Sequence, residues 1–345
     1  MKALRYFGER DIRYDSMDDP EIAAPGDAIV RVSACAICGS DLHIYHGAGF
    51  SEDIGYCVGH EAVGEVVDVG RSVSRLKVGQ QVMLSAAVGC GACASCLAGV
   101  INRCANNAGS CYGLSAALQG CQAEFVRVPA ADTNAAPIPE GLSSDQALML
   151  TDAMATAWFG ARNADIAPGS TVAVVGLGPI GLMAVESAFV MGAGRVFAID
   201  LVPERRALAS ALGAVALDPA DAADVMRDTT QGWMADSVVE AVGVDATIAL
   251  SLALAGKRAT VSVIGVAQSR KFAFPISRAF GQGLTFRIGT CSVPQEWPAL
   301  IPLLQAGRLK PERYISHHLP LSAGEEAYRL FDAREDGAMK MVLTV

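Results

Sequence analysis

The sequence is poor in positive charge and has no long uninterrupted apolar run. Its 345 residues include 27 lysines and arginines against 36 aspartates and glutamates, which gives a net charge of −9 and a pI near 5.1. This acidic balance argues against nucleic acid or an anionic membrane as a partner. Glycines or charged residues interrupt the longest apolar stretches before they reach spanning length, so we expect no transmembrane helix.

Other features are missing as well. The first residues, Met1-Lys-Ala-Leu-Arg5, lack the apolar core of a signal peptide, and no internal repeat, low-complexity tract or linker is evident. Ten cysteines in a chain without a signal peptide indicate metal ligands and buried thiols rather than a disulfide framework. We therefore expect a cytoplasmic protein. A hydrophobic content of 52% and a length of 345 residues predict two domains, each with a substantial core.

One short stretch, Cys35-Ala-Ile-Cys-Gly-Ser-Asp-Leu-His43, and the following Gly59-His-Glu-Ala-Val-Gly64 gather most of the reactive side chains. Cys38 and His60 are suitable ligands for a zinc ion that keeps an open coordination position. Ser40 and His43 lie just past the thiol, where a proton could be passed outward. The alternatives are a turn hydroxyl for Ser40 and a surface imidazole for His43.

A second cluster follows in a segment that is rich in small residues. Its members are Cys90, Cys93, Cys96 and Cys104. Four thiolates at this spacing can close a tetrahedron around a structural zinc ion and leave no position for water. The alternative is four buried thiols. It is disfavoured because the intervening glycines and alanines are typical of a loop and do not show the regular spacing of apolar residues that face a core. The remaining cysteines are interpreted as small hydrophobic residues.

A nucleotide-binding pattern begins at Thr171, after a half that is rich in short β-type segments. Thr171–Val175 is typical of a strand buried on both faces. The turn that follows contains Gly176, Gly178, Pro179, Ile180 and Gly181. These glycines let the backbone approach a pyrophosphate at a helix N-terminus.

The next predicted strand, residues 195–200, ends in Asp200. This carboxylate can accept hydrogen bonds from the ribose hydroxyls of NAD and would repel the 2′-phosphate of NADP. NAD is therefore favoured, while Arg205 and Arg206 lie close by in the sequence and leave the strictness of the preference open.

Together these motifs resemble the zinc-containing alcohol dehydrogenases of the medium-chain dehydrogenase/reductase superfamily, nearly from end to end. The resemblance is carried by Cys38-Gly-Ser-Asp-Leu-His43, the GHExxG run with Gly70 and Val73 after it, the four-cysteine segment, Thr151-Asp152 and residues 176–181. The fold class it implies is α/β. A GroES-like β-barrel catalytic domain would comprise residues 1–150 and 291–345, and a Rossmann domain with a doubly wound parallel sheet would comprise residues 151–290.

The resemblance also implies that Cys38, His60 and Asp152 bind a catalytic zinc ion. Many members have a second cysteine at the position of Asp152, and the aspartate is similar to the variant in bacterial and yeast secondary-alcohol dehydrogenases. A carboxylate keeps the anionic charge and remains a suitable zinc ligand. Glu61 is either a fourth, exchangeable ligand or a group that supports the ligands. The need for an open position favours the exchangeable role.

In the implied reaction, Ser40 takes the proton of the alcohol hydroxyl and His43 releases it to solvent by way of the cofactor ribose. Hydride passes to the nicotinamide. Two zinc ions per chain and one NAD are expected. Members of this length imply a homotetramer or a homodimer.

Three functions follow from these observations. The first is an NAD-dependent dehydrogenase of secondary alcohols or a reductase of ketones. The second is a polyol, threonine or formaldehyde dehydrogenase. Polyol oxidation needs extra polar groups in the pocket, whereas the candidate wall residues are mostly apolar. These residues are Phe50, Leu118, Trp158, Phe159 and Ile288. The third is a non-catalytic NAD-binding or zinc-storage protein, which should have lost a ligand or the relay.

Overall fold

A computed structural model of the chain describes residues 1–106, 110–267 and 271–345. The chain divides into two compact units. The first comprises Met1–Ala155 and Ser292–Val345, and the second comprises Thr156–Cys291. Within the described ranges, no helix combines the length and apolar character needed to cross a bilayer.

The strands are β1 (Lys2–Gly8), β2 (Asp11–Ser16), β3 (Ala28–Ile37), β4 (Tyr56–Cys57), β5 (Glu61–Val69), β6 (Gln81–Leu84), β7 (Phe125–Val128), β8 (Ala135–Pro137), β9 (Thr171–Val175), β10 (Arg195–Ile199), β11 (Val215–Leu217), β12 (Ala235–Glu240), β13 (Ala255–Val263), β14 (Thr285–Ile288), β15 (Ile315–Pro320) and β16 (Lys340–Thr344). The helices are α1 (Asp41–Tyr45), α2 (Ala94–Leu97), α3 (Ala131–Asn134), α4 (Ser144–Leu150), α5 (Ala153–Asn163), α6 (Pro179–Val190), α7 (Pro203–Ala211), α8 (Ala222–Thr229), α9 (Asp245–Leu254), α10 (Ile276–Gln282), α11 (Val293–Gln305) and α12 (Gly324–Ala333).

Two sheets build the first unit. The smaller has the strand order β2-β1-β4, and the larger has the order β15-β16-β3-β5-β6-β8, with β7 pairing with β3. All pairs in the larger sheet are antiparallel except β15 with β16. Their apolar side chains, among them Val30, Ala62, Leu84 and Leu343, share one buried core. The sheets provide a rigid base for the loops that follow β3 and precede β5.

The register of three neighbouring strands places the reactive residues together. Met341 of β16 pairs with Ile37 of β3, and Glu61 of β5 pairs with Ala36 on the other side of β3. Cys38 follows Ile37 directly, so it lies at the end of the central strand between the first residue of β16 and the first residue of β5. Residues that are far apart in the sequence therefore meet at one end of the sheet.

The second unit contains six parallel strands in the order β11-β10-β9-β12-β13-β14. The chain starts at the centre with β9, proceeds outward to β11, and then returns to the other side of β9 with β12. This order is the doubly wound arrangement in which ligands bind where the strand order reverses, at the carboxyl ends of the central strands. Strands β9 and β10 are buried along almost their whole length, as their apolar sequences predict.

Candidate active site, metal centres and cofactor cradle

The first unit brings four metal-binding side chains to one place. One donor atom from each of Cys38, His60, Glu61 and Asp152 lies within 4.8 Å of the others. Asp152 Oδ2 is 3.5 Å from Cys38 Sγ and 3.6 Å from His60 Nε2. The first three residues are buried, whereas the Asp152 side chain is 16% exposed. A ligand could therefore approach this cluster from the side of Asp152.

The donor set fits a zinc ion. A thiolate, an imidazole and a carboxylate are all ligands that zinc takes in proteins. Burial raises the pKa of the Cys38 thiol, and the neighbouring Asp152 carboxylate raises it further. A thiolate and a carboxylate that lie this close together and are largely removed from water need a cation to neutralise them. The arrangement thus calls for a bound cation.

Asp41 orients His60 within this cluster. Its Oδ2 accepts a hydrogen bond of 2.9 Å from the Cys38 amide, and its Oδ1 lies 3.3 Å from His60 Nδ1. Burial opposes protonation of the imidazole, but the contributions of Asp41, Cys111 and Asp152 together outweigh it, and the pKa of His60 is raised. The Asp41 carboxylate thus lies on the Nδ1 side of the ring within ion-pair distance, without a hydrogen bond of good geometry, and Nε2 lies on the side of Asp152. The sequence motif contains Asp41, but its role was not anticipated.

Glu61 is held by a lysine that the sequence motifs did not indicate. Lys340 Nζ donates to Glu61 Oε1 over 2.5 Å, and the two residues are 2% and 0% exposed. Glu61 Oε2 has no hydrogen-bond partner among the described residues. Burial lowers the pKa of Lys340, but the charge and hydrogen bond of Glu61, together with Cys38 and Asp152, outweigh it and raise this pKa, so the ammonium group remains charged. Glu61 therefore belongs both to the donor cluster and to a buried ion pair.

The loop that carries Asp152 is fixed by hydrogen bonds to the residues just before it. The Trp297 indole Nε1 donates to the Leu150 carbonyl over 2.9 Å in a buried position. The Ala86 amide donates to the Thr151 carbonyl over 3.0 Å. The Thr151 hydroxyl donates to the Leu148 carbonyl in α4 over 2.6 Å. Asp152 thus follows directly after a clamped segment between α4 and α5, which keeps its carboxylate close to Cys38 and His60.

The two proposed relay residues lie close together along the chain but differ in their contacts. Ser40 Oγ is 3.3 Å from His60 Nε2 and is therefore beside the donor cluster. His43 lies on α1 and is half-buried, and burial lowers the pKa of its imidazole, with His46 adding to the effect. No hydrogen bond joins its ring to the Ser40 hydroxyl in the described part of the chain. The roles of both residues in proton transfer stay predictions.

The other cysteines that were predicted to bind zinc also lie together. The Sγ atoms of Cys90, Cys93, Cys96 and Cys104 lie within 4.8 Å of one another. The Cys90–Cys96 and Cys93–Cys104 separations are 4.0 and 3.9 Å, close to the roughly 3.8 Å edge of a tetrahedron with Zn–S bonds of about 2.3 Å. Backbone amides lower the pKa of Cys90 to about 6, whereas burial raises that of Cys96 to about 12. A cation that stabilises all four thiolates fits this group.

The turn between β9 and α6 in the second unit forms an open cradle. Gly176 has a φ of +89°, which residues with a side chain rarely adopt. A Cβ added at Gly181 would overlap the Gly176 carbonyl oxygen, whereas one added at Gly178 would meet no protein atom within 4 Å. Pro179 and Ile180 begin α6, whose N-terminal amides have no partner within the helix. Such a turn fits the pyrophosphate of a dinucleotide.

Asp200 follows β10 and faces this cradle. Its Oδ2 accepts from the Leu177 amide over 2.7 Å, and its Oδ1 accepts from the Val202 amide over 2.8 Å. Each oxygen retains a lone pair that could accept a ribose hydroxyl. Arg205, which was also predicted to bind the cofactor, lies half-buried on α7.

A buried carboxylate that the sequence motifs did not indicate supports the same region. Glu240, the last residue of β12, accepts from the Val242 amide over 3.0 Å, the Gly243 amide over 2.9 Å and the Thr247 hydroxyl over 2.6 Å. A Cβ added at Gly176 would strike Val242, so this loop borders the glycine turn. Burial raises the pKa of Glu240. Glu240 therefore fixes one wall of the cradle.

Comparison with known proteins agrees with both units. Residues 24–140 match the alcohol dehydrogenase GroES-like domain, and residues 179–306 match the zinc-binding dehydrogenase family. A probable zinc-binding alcohol dehydrogenase of Mycobacterium tuberculosis is 40% identical over 344 residues, which cover 99% of this chain and 88% of the relative. An L-threonine 3-dehydrogenase of Bacillus licheniformis is 32% identical over 352 residues, which cover 99% of each chain.

Solved structures of alcohol dehydrogenases are similar to this chain as well. The alcohol dehydrogenase TADH from Thermus sp. ATN1 has a TM-score of 0.94 and 38% identity to this chain, and the match covers 100% of both chains. The predicted α/β fold class, with a GroES-like part and a Rossmann part, is confirmed, as is the prediction of a zinc-dependent oxidoreductase. The family implies zinc and NAD or NADP as cofactors. The chain belongs to the zinc-containing alcohol dehydrogenases of the medium-chain dehydrogenase/reductase superfamily.

Proposed function

We propose that this protein is an NAD-dependent dehydrogenase that interconverts a secondary alcohol and its ketone. The observation that carries the proposal is the buried donor cluster of Cys38, His60 and Asp152, which is exposed only at Asp152 and has the Ser40 hydroxyl beside it. A zinc-storage protein would have no need of a hydroxyl next to a partly open cluster. A catalytic centre needs both features.

The side chains have distinct tasks in this reaction. Cys38, His60 and Asp152 hold the catalytic zinc ion, Asp41 orients His60, and Lys340 holds the Glu61 carboxylate by one oxygen. When bound, zinc supplies a Lewis acid that acidifies the alcohol, and NAD supplies the hydride acceptor. Ser40 would accept the proton of the hydroxyl while giving up its own toward the cofactor ribose, and His43, which is half-buried, would take a proton from the ribose and release one to solvent.

The preference for NAD rests on Asp200. Its carboxylate lies at the end of β10, where it can accept from the ribose and repels a 2′-phosphate. Asp200→Gly should shift the ratio of kcat/KM values from NAD toward NADP, because it removes both effects. A parent enzyme that uses NADP better than NAD would contradict the assignment.

The substrate class is proposed from the aspartate at the position of a metal ligand and from the apolar residues that the sequence suggests for the pocket wall, Phe50 and Leu118 among them. An alternative is L-threonine oxidation, because a relative of 32% identity carries that name. The test is a panel of primary alcohols, secondary alcohols, polyols and L-threonine with NAD. We expect the highest kcat/KM for an aliphatic secondary alcohol. A preference for L-threonine or a polyol would replace the proposal by the alternative.

Two structural expectations accompany this function. We propose that the first unit, Met1–Ala155 with Ser292–Val345, acts as the catalytic domain and the second, Thr156–Cys291, as the NAD-binding domain; the sequence predicted this division at residues 1–150 with 291–345 and 151–290. We also propose that the enzyme is a homotetramer or a homodimer. Light scattering coupled to size-exclusion chromatography measures the second, and a monomer would contradict it.

A further inference from the structure

An arginine of α7 lies at the strand end that carries Asp200. Arg206 Nη1 is 2.7 Å from the Asp200 carbonyl oxygen, 2.9 Å from the Leu201 carbonyl oxygen and 3.1 Å from Asp218 Oδ2. Asp218 directly follows β11, the neighbour of β10 in the sheet. The guanidinium group therefore bridges the ends of two adjacent strands, and Asp218 is the carboxylate that neutralises it there.

This position is where dinucleotide folds distinguish NAD from NADP. A carboxylate at the end of the second strand accepts from the ribose 2′-hydroxyl, whereas an arginine near it accommodates the 2′-phosphate. This chain has both groups, because Arg206 donates a hydrogen bond to the backbone carbonyl of Asp200 itself. Two backbone amides hold the Asp200 carboxylate, and the nearby cation has a carboxylate of its own.

We propose that Asp218 is a specificity-determining residue for the cofactor, because it keeps Arg206 from binding a 2′-phosphate. The inference rests on the NAD dependence proposed above. Arg206 Nη1 has two hydrogens and three acceptors within 3.1 Å, so a phosphate would have to reach another nitrogen of the same guanidinium, whose charge Asp218 already neutralises. The two carbonyls carry no net charge, so the Asp218 carboxylate alone neutralises the guanidinium within this group of acceptors.

Both side chains remain within reach of a ligand. Arg206 is 22% exposed and Asp218 is 39% exposed. When the Asp218 charge is removed, Arg206 becomes an uncompensated cation next to the site of the 2′-substituent. The charge of Asp218 also repels a phosphate directly. Asp200 and Asp218 therefore both disfavour NADP. Both carboxylates repel the 2′-phosphate, and Asp218 in addition neutralises Arg206.

The test compares NADPH with NADH, which differ only in the 2′-phosphate, by equilibrium titration of nicotinamide fluorescence on the full chain. Asp218→Asn preserves the size of the side chain and an Oδ1 that accepts from the Ala220 amide over 3.1 Å. We expect roughly fivefold tighter binding of NADPH with NADH nearly unchanged, the size of one partly exposed charge pair. In Asp218→Asn with Arg206→Leu the gain should disappear, because the cation is absent.

Asp224→Asn is the matched control. It removes the carboxylate of another surface pair of the second unit, Arg227 with Asp224 at 2.6 Å, and should leave the ratio of NADPH to NADH affinity as in the parent. An unchanged ratio in Asp218→Asn, or equal tightening of both cofactors, would overturn the inference. A parent that binds NADPH more tightly than NADH would instead refute the proposed NAD dependence, whatever the response of Asp218→Asn.

Discussion

Removing the ammonium group of Lys340 is expected to destabilise the first unit strongly. Lys340 Nζ and Glu61 Oε1 are 2.5 Å apart, and the residues are 2% and 0% exposed, so water cannot solvate a charge that is left behind. Removal of one partner of a buried pair costs about 3–5 kcal/mol. We expect Lys340→Met to lower the free energy of unfolding by this amount. Adding Glu61→Gln should restore most of it, because no buried charge remains unpaired.

An exposed ion pair of the same sheet provides a matched control for this experiment. Arg31 of β3 pairs with Glu65 of β5 at 2.9 Å, but these side chains are 56% and 31% exposed. An exposed pair contributes at most about 1 kcal/mol. Arg31→Met should therefore be nearly as stable as the parent.

The assay is unfolding in guanidinium chloride at one pH, with zinc content measured for each protein beforehand. The titration is repeated after chelation of zinc, which shows whether the freed Glu61 carboxylate gains stability from the metal. The reasoning would be refuted if Lys340→Met cost no more than Arg31→Met. It would also be refuted if Lys340→Met with Glu61→Gln were no more stable than Lys340→Met alone.

Further outcomes test the metal centres, the relay and the cradle. Metal analysis should find two zinc ions per chain, and Cys93→Ser should unfold at lower denaturant because three thiolates lose their full coordination; one ion in the parent, with Cys93→Ser fully stable, would contradict the structural site. Ser40→Ala should lose part of the roughly 10²–10⁴-fold that acid–base assistance provides, with both zinc ions retained, and full activity at every pH would exclude Ser40 from the proton path. His43→Gln should lose less, mainly at low pH, and external buffer base should restore part of the rate. Burial raises the pKa of Glu240 above 4.5, so its stabilising contribution is present below that pH and is lost as the pH rises through the raised value. Glu240→Gln should therefore gain stability relative to the parent as the pH rises above 4.5, and a difference independent of pH would count against this.

The sequence predicted best those features in which local geometry and chemistry coincide. A glycine turn between an apolar strand and an apolar helix is typical of a dinucleotide site. Gly176 has the positive φ of such a turn, Gly178 leaves open space, and Gly181 allows close packing against Gly176. The four cysteines Cys90, Cys93, Cys96 and Cys104 could be assigned to one site for a similar reason, because the short segments between them keep their side chains close together.

The sequence did not predict the roles of side chains whose partners are far away in the sequence, or whose role depends on the direction in which the side chain points. Lys340 stands 279 positions from Glu61, and a lysine at the start of an apolar strand normally lies in water. Asp41 stands within the motif, but only the structure shows that it faces His60 Nδ1 and leaves Nε2 toward Asp152. Arg206 could be noticed in the sequence, but its pairing with Asp218 depends on how β10 and β11 align.

The first unit is interrupted in the chain by the second, and this affects how the enzyme is made. Cys38, His60 and Asp152 precede the second unit, whereas Lys340 and β16 follow it. A ribosome that adds about 5–20 residues per second reaches Lys340 roughly 10–40 s after Asp152. During this interval β3 lacks its neighbour on one side and Glu61 lacks its cation. The nascent chain therefore holds the proposed metal ligands well before it can form the finished centre, and activity is a late event of biosynthesis.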